Sequence, residues 1–211
     1  MNLLTKIFIQ YPILLFAITL HEYAHGKIAE YFGDDTARIM GRLSLNPLVH
    51  VDLIGTVLLP FLAMLTGIPF FGWAKPVPVN MFIMKRFQVM LIGLAGPLSN
   101  FLCAGIFSLI YHLLNIANIQ TYQGSLIFLY AVAINITLAV FNLVPVPPLD
   151  GSKVLVSLLP YELANYYENF LGRYGFFIII FLLYSGGLWF IISPVVNFLI
   201  QLFLPNYYMG L

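Results

Sequence analysis

Residues 7–28 have the sequence IFIQYPILLFAITLHEYAHGKI, an apolar run whose second half contains the motif His21-Glu22-Tyr23-Ala24-His25. A helix of about 20 apolar residues spans the hydrocarbon core of a bilayer, so this stretch predicts a membrane-spanning helix. Ionisable groups at the middle of such a helix cost roughly 2.5 to 3.5 kcal/mol each and are rare there without a function. The stretch therefore predicts a helical membrane fold together with the position of its functional site.

The two histidines are four residues apart, about one helical turn, so His21 and His25 project from the same face. Both imidazoles can reach one metal ion, while Glu22 lies beside them and can act as a base toward a water in an open coordination position. The alternative is a helix end at which the histidines only face water. Because Cys103 is the single cysteine, a thiolate cluster is excluded, and the pattern favours zinc held by His, Asp and Glu.

Composition places the chain among polytopic membrane proteins. Of its 211 residues 61% are hydrophobic and only 17 are charged, 9 basic and 8 acidic. The net charge of +1 argues against a nucleic-acid partner. With no repeat or low-complexity tract, residues 1–211 are predicted to form a single membrane-embedded α-helical domain with about five to six membrane segments. The apolar run continues into the motif without a small-residue cleavage site, so we do not expect a cleaved signal peptide.

A second motif, NLVPVPPLDG at residues 142–151, follows the fourth apolar segment. Its three prolines end the helix, and Gly151 gives the backbone freedom beside Asp150, the only carboxylate of the region. Asp150 is therefore the predicted third metal ligand. Asn142 has two interpretations: it donates a hydrogen bond to a developing oxyanion, or it holds neighbouring helices together.

The chain between the motifs leaves further alternatives open. His50 follows a helix start at Asn46-Pro47 and precedes an apolar segment. It is predicted as a catalytic residue that either supports the catalytic centre or acts in the transition state, and the alternative is that it has no catalytic role. Pro76 and Pro78 exclude a helix over residues 72–80, which we interpret as an edge strand beside the substrate groove or as an interfacial loop. Small strands are expected within residues 37–45. Asn100 is interpreted as an interhelical hydrogen-bonding residue or a catalytic group.

Five stretches together resemble the site-2 protease family of intramembrane zinc metalloproteases: HEYAHG at 21–26, NPLVHVD at 46–52, FGWAKPVPVN at 71–80, AGPLSNF at 95–101 and NLVPVPPLDG at 142–151. The resemblance implies zinc ligands at His21, His25 and Asp150, a catalytic glutamate at Glu22 and a substrate-positioning asparagine at Asn142. It also implies cleavage of peptide bonds in or beside membrane helices of other proteins. Because no PDZ or nucleotide-sensing CBS domain is recognised, the sequence resembles a minimal form of the family.

Metal ligation constrains the topology. Asp150 reaches the same side as the first motif if residues 53–80 form a re-entrant and extended element that leaves and returns on one face. One side then collects eight basic residues, against Lys6 on the other: Lys27, Arg38, Arg42, Lys75, Lys85, Arg86, Lys153 and Arg173. The positive-inside rule makes that side cytoplasmic, so we expect a plasma-membrane protein whose active site lies nearer the cytoplasmic face.

The predicted partners are the lipid bilayer and a membrane-protein or peptide substrate, with one zinc ion per chain; the sequence does not predict the oligomeric state. Two other function classes remain open at this point, a zinc-binding membrane transporter and an inactive scaffold that binds membrane helices. A transporter does not require a general base and usually has a duplicated half, which this sequence lacks. An intact Glu22 argues against the scaffold.

Overall fold

The computed structural model of the protein describes residues 3–59, 62, 74–119 and 121–205. Within them the chain is built from seven α-helices, of which α2 is a single turn: α1 (Leu3–Tyr31), α2 (Thr36–Ile39), α3 (Arg86–Ile116), α4 (Tyr122–Asn142), α5 (Asp150–Leu158), α6 (Tyr161–Tyr184) and α7 (Gly187–Phe203). Three short turns complete the described elements, the 3₁₀ turns Pro47–Val49 and Met81–Ile83 and the π-helical turn Leu53–Leu58.

Local sequence signals account for the main element boundaries. The Asn46 side chain accepts a hydrogen bond from the Leu48 amide, with Pro47 in the first position of the 3₁₀ turn, as predicted for a helix start. Helix α4 ends at Asn142, immediately before the proline-rich stretch. Helix α5 begins at Asp150, so the predicted third ligand lies in the first turn of a helix.

Helix α3 is the centre of the fold and packs against α1, α4 and α5. Buried apolar residues from α3, α4 and α7 form a continuous core that includes Ala104, Ile136 and Val196. Helix α6 packs mainly against α7. This arrangement brings α1, which carries the first motif, next to α3, and α3 next to α5, which carries Asp150.

Two helical stretches are long and apolar enough to cross a membrane, Arg86–Ile116 and Gly124–Asn142. Helices α6 and α7 meet at a bend of 76° and together form either a broken span or a re-entrant hairpin. The described residues are therefore compatible with a helical membrane protein of two or three spans. They do not confirm the expectation of five to six membrane segments, and residues 60, 61 and 63–73 of the predicted re-entrant element lie outside the described chain.

The expected small strands are not found in the part of the chain that the structure describes. Residues 37–45 contain the end of the helical turn Thr36–Ile39 and then irregular chain, because hydrogen bonds from Arg42 and Leu43 to the Ala37 carbonyl close a local turn instead of pairing strands. Residues 74–80 are irregular chain, without a paired strand. Residues 72 and 73 of the predicted edge strand lie outside the described residues.

Candidate metal centre

Three buried side chains converge on one point between α1, α3 and α5. The Nε2 atoms of His21 and His25 lie 3.0 Å apart, and each lies 3.0 Å from Oδ2 of Asp150. All three residues are at most 6% exposed. The structure thus brings together the three predicted metal ligands, although His21 and Asp150 are 129 positions apart in the sequence.

The outer ring nitrogen of each histidine fixes its tautomer. Nδ1 of His25 lies 2.6 Å from the carbonyl oxygen of Ile92, which can only accept, so Nδ1 carries the proton. Nδ1 of His21 lies 2.7 Å from Oδ1 of Asn100. The Asn100 amide nitrogen donates to the Ala17 carbonyl and to Oδ1 of Asn135, so its oxygen must face the imidazole and accept. In the neutral form of each imidazole, Nε2 then carries a lone pair that is directed at the cluster.

This donor set fits a divalent metal ion. Two imidazole lone pairs and a carboxylate oxygen that face one another at 3.0 Å repel unless a cation or a shared proton lies between them. Tetrahedral zinc with bonds of about 2.0 to 2.1 Å places neighbouring ligand atoms about 3.3 Å apart, close to the distances observed here. Two histidines and one carboxylate are also the protein ligands of catalytic zinc sites that keep a fourth position open.

Two glycines permit the close approach of the elements that hold the ligands. A Cβ atom on Gly96 of α3 would lie 2.4 Å from Nε2 of His25 and 2.5 Å from Nε2 of His21. A Cβ atom on Gly151 would lie 2.2 Å from the Leu143 carbonyl oxygen. Helix α3 can therefore lie against the ligand cluster, and α5 against the chain that leaves α4, only where the side chain is a hydrogen atom.

Asp150 divides its two oxygens between different partners. While Oδ2 faces the histidines, Oδ1 accepts a hydrogen bond from Nζ of Lys153, 2.8 Å away and one turn further along α5. The Lys153 side chain is 35% exposed and lines the cavity beside the cluster. One carboxylate oxygen is thus reserved for the cluster. The i, i+3 spacing of Asp150 and Lys153 was a signal available in the sequence.

A cavity of about 840 Å³ opens beside the cluster and is lined mostly by apolar side chains from α1, α3, α4 and α6. Glu22 lines the same cavity as the three candidate ligands. Its Oε2 accepts a hydrogen bond of 2.8 Å from the Val77 backbone amide. A carboxylate beside an open coordination position is the arrangement that base-assisted hydrolysis requires.

Val77 belongs to the irregular segment 74–80, which we call the strap. The strap borders the cavity through Ala74, Pro76, Val77 and Val79. Its backbone is held by the polar chain that follows α1: Arg42 donates to the carbonyls of Lys75 and Pro76 at 2.8 and 3.2 Å, and the Lys75 amide donates to the His50 carbonyl at 2.9 Å. Polar residues between α1 and the π-helical turn thus fix one wall of the cavity.

Asp34 anchors the far end of the strap. Its Oδ2 accepts a hydrogen bond of 2.6 Å from the Asn80 amide, and its Oδ1 accepts from the amide and hydroxyl of Thr36. Burial opposes ionisation of Asp34, but these hydrogen bonds outweigh it and hold the pKa of the carboxyl below its usual range. Asp34 is therefore ionised at neutral pH, which strengthens its hold on the strap.

The structure separates the other two predicted site residues. Asn142 lines the cavity; its Nδ2 donates to the Leu138 carbonyl at 2.9 Å, which leaves the second hydrogen of the amide for another acceptor. His50 is buried but is not among the described residues that line the cavity, and its Nε2 donates to the Ser44 carbonyl at 2.8 Å. The structure thus places Asn142 at the cavity, together with the ligands and Glu22. It places His50 away from the cavity, in the polar chain behind the strap.

Comparisons with known proteins identify one family. Residues 111–182 match the sequence profile of peptidase family M50. The chain is 40% identical over 154 residues to "Putative zinc metalloprotease YwhC" of Bacillus subtilis, a match that covers 70% of this chain and 67% of that protein. It is 31% identical over 183 residues to "Putative zinc metalloprotease Rip2" of Mycolicibacterium smegmatis, with 83% of this chain and 67% of that protein covered. No solved structure matches the chain.

Proposed function

We propose that this chain, which belongs to the site-2 proteases of peptidase family M50, hydrolyses peptide bonds in or beside the membrane-spanning segments of other proteins. Family membership makes it a zinc metalloprotease. The apolar helices and the family together indicate an integral membrane protein. The substrate class, one zinc ion per chain and the roles of individual residues are parts of the proposal.

One observation carries the proposal: three convergent lone-pair atoms and a half-buried carboxylate border the same apolar cavity. His21, His25 and Asp150 supply the convergent atoms, and Glu22 supplies the carboxylate. A site built only to bind or carry zinc has no use for a second carboxylate that is held outside the ligand set. Hydrolysis needs that group as a base.

The roles of the residues follow from their positions. Zinc bound by His21, His25 and Asp150 would supply a Lewis acid that acidifies a water and polarises a peptide carbonyl. Glu22 takes the proton of the attacking water and delivers it to the leaving amine. Asn142 lines the cavity and donates one amide hydrogen to the Leu138 carbonyl, and its other amide hydrogen would stabilise charge that develops on the carbonyl oxygen of the substrate.

The strap supports binding of the substrate as an extended strand. In an extended segment the amides of residues 75, 77 and 79 point to one edge, and the residues at 76 and 78 face the other. Because Pro76 and Pro78 have no N–H, donors are confined to the edge of Val77, whose amide faces Glu22. The Lys75 amide and carbonyl and the Val77 amide have partners within the protein, so a substrate strand on that edge would pair with the Val79 amide and with the carbonyls of Val77 and Val79.

The membrane topology and His50 complete the proposal. With five to six membrane segments and residues 53–80 re-entrant, the basic residues lie on the cytoplasmic side of the plasma membrane, and the site lies within the membrane nearer the cytoplasmic face. His50 contributes by holding the strap, because its carbonyl accepts from the Lys75 amide. The predicted single domain 1–211 contains every residue that this mechanism uses.

The test is cleavage of model single-span substrates by the purified protein in detergent, with products identified by mass spectrometry. We expect cleavage within or beside the membrane segment, its loss after removal of zinc with a chelator, and its return when zinc is restored. Zinc flux into liposomes by a protein that binds zinc and cleaves nothing would replace the protease with a transporter. Zinc binding without either cleavage or flux would favour a helix-binding scaffold.

A further inference from the structure

The amide of Val77 is the hydrogen-bond donor that the structure gives to the carboxylate of Glu22. The two atoms, N of Val77 and Oε2 of Glu22, lie 2.8 Å apart. Among the described residues no side chain hydrogen-bonds this carboxylate, in contrast to the fixed orientation of both histidines. We propose that the Val77 amide is a positioning group that holds the catalytic base, so that the strap completes the active site. This inference rests on the proposed function.

The base needs an external partner because of its place on α1. Glu22 follows His21 by one residue, so its side chain leaves the helix about 100° away from the face of the ligands. A free glutamate side chain samples several rotamers, and proton transfer requires the carboxylate within about 2.6 to 3.2 Å of the water. A backbone amide that binds one oxygen removes most of that freedom and leaves the other oxygen for the proton.

Side-chain packing and the two flanking prolines hold the Val77 amide in place. Its side chain packs on α1 at Gly26, where a Cβ atom would lie only 2.9 Å from Cγ1 of Val77. Gly26 lies one helical turn beyond Glu22, so Val77 contacts the same face of α1 with its side chain and with its amide. Pro76 and Pro78 on either side restrict the backbone to extended conformations.

Contacts at both ends of the strap fix the same segment. Arg42 holds the carbonyls of Lys75 and Pro76, and Asp34 holds the amide of Asn80. The donor is therefore pre-organised before substrate binds, as a group that positions a catalytic residue must be. This gives the polar chain after α1 a role that its sequence did not reveal.

The opposite role is inhibition, which we call a lock. In that case the hydrogen bond from the Val77 amide keeps Glu22 from acting as a base until a substrate strand displaces the strap. The two roles predict opposite effects when the donor is removed. Loss of a positioning group lowers kcat with little change in KM, because only the orientation of the base in the transition state is affected. Loss of a lock leaves kcat unchanged or raises it.

The experiment replaces the Val77 amide with an ester by incorporating the α-hydroxy acid analogue of valine at position 77. The ester removes the N–H and keeps the side chain. The same replacement at Val79, on the same edge of the strap, is the matched control. Val77→Ala keeps the amide and removes the packing on Gly26, while Arg42→Gln measures the effect of weakening contacts to the Pro76 carbonyl. For each protein kcat, KM, bound zinc and the unfolding midpoint are measured with a single-span substrate.

We expect the Val77 ester to lower kcat about 10- to 100-fold, the range found when groups that orient catalytic ligands are lost, with unchanged zinc and KM within about twofold. The Val79 ester should keep kcat within about threefold and raise KM. Val77→Ala keeps the amide donor but loses one of the contacts that place it, so it should lower kcat less than the Val77 ester does. A Val77 ester with wild-type or higher kcat would overturn the inference and leave the protease intact. An equal fall of kcat in Val77→Ala would also overturn it, because the side chain would then explain the effect. Wild-type protein that holds zinc and cleaves nothing would overturn the proposed function and this inference together.

Discussion

The two walls of the cavity are built in different ways. The ligand wall consists of side chains on α1 and α5 that are buried against α3, and each ligand has a partner that fixes it. The strap wall is irregular backbone, held by polar side chains of Asp34 and Arg42. The ligand wall therefore depends on which residues are present. The strap wall depends on where the backbone lies.

This difference predicts how the two walls respond to substitution. A change in the ligand wall removes a group for which the buried cluster has no replacement, so zinc and activity fall together. A change in the strap anchors shifts a backbone whose contacts are several and partly exposed, so zinc is retained and activity falls less. Substitutions in the two walls should therefore differ both in zinc content and in the size of the loss.

Removal of Asp150 should have the largest effect. Asp150→Ala leaves two histidines and no anionic ligand, and we expect loss of bound zinc and a fall in hydrolysis of at least about 10³-fold, since metal catalysis supplies several kcal/mol. Zinc content by elemental analysis and cleavage of the single-span substrate measure both losses. Ser152→Ala, two residues further along the same helix, is the control and should retain zinc. An Asp150→Ala protein with wild-type zinc content would remove Asp150 from the ligand set.

A methyl group at Gly96 should have the next largest effect. The new Cβ would lie 2.4 and 2.5 Å from the Nε2 atoms of the histidines, and displacement of reacting groups by about 1 Å costs about 10²-fold. We therefore expect Gly96→Ala to weaken zinc binding and lower kcat about 10²-fold. Gly105→Ala on the same helix has its nearest atom 3.7 Å away and should be tolerated, with a gain in helix stability of up to about 1 kcal/mol. Equal behaviour of the two variants would contradict the close approach of α3.

Asn100 and Asn142 separate metal orientation from catalysis. Asn100→Ala removes the acceptor for Nδ1 of His21, so zinc affinity should fall about 10- to 100-fold. Asn142→Ala should keep zinc affinity and lower kcat, because Asn142 acts on the substrate in our proposal. Zinc titration against a competing chelator, together with kcat, distinguishes the two. A loss of zinc affinity in Asn142→Ala alone would reverse the assignment.

Acid should weaken the strap anchor at Asp34. The folded state holds the pKa of this carboxyl below its unfolded value, so its contribution to stability is present above the unfolded pKa and is lost as the pH falls through the folded pKa. We expect the unfolding midpoint of the wild type to fall over that acid range, and Asp34→Asn to show a smaller fall. Near neutral pH, Asp34→Asn should cost about 1 kcal/mol for each hydrogen bond that weakens. Identical acid profiles for both proteins would contradict the role of the Asp34 anchor.

The sequence predicted the ligand wall well because its information is in side chains. HEYAH at 21–25 and the aspartate of NLVPVPPLDG at 142–151 indicate their chemistry by residue type and spacing. Asn100 was visible as a polar residue in an apolar helix, and one of its two interpretations was the contact between helices. The hydrogen bond between Asn100 and His21 depends on the packing of α1 against α3, and the spacing of residues in the sequence does not predict that packing.

The strap wall could not be predicted at the same level. The prolines of residues 72–80 excluded a helix, and residues 74–80 are indeed not helical, but a backbone amide has no signature in a sequence. The contact of Val77 with Glu22 joins residues 55 positions apart and depends on anchors at Asp34 and Arg42. The expected strands at 37–45 failed for a related reason, since a loose alternation of residue types was closed into a local turn by hydrogen bonds to Ala37.

The most direct test of the account compares wild type with Glu22→Gln for zinc content and for cleavage on the same purified samples. The substituted amide side chain would keep an oxygen that can accept from the Val77 amide but could not take a proton from water at neutral pH. We predict equal zinc in both proteins and a fall in kcat of about 10²- to 10⁴-fold in the variant, the range for loss of a general base. Equal cleavage by both proteins would contradict the assignment of Glu22 and with it the catalytic mechanism.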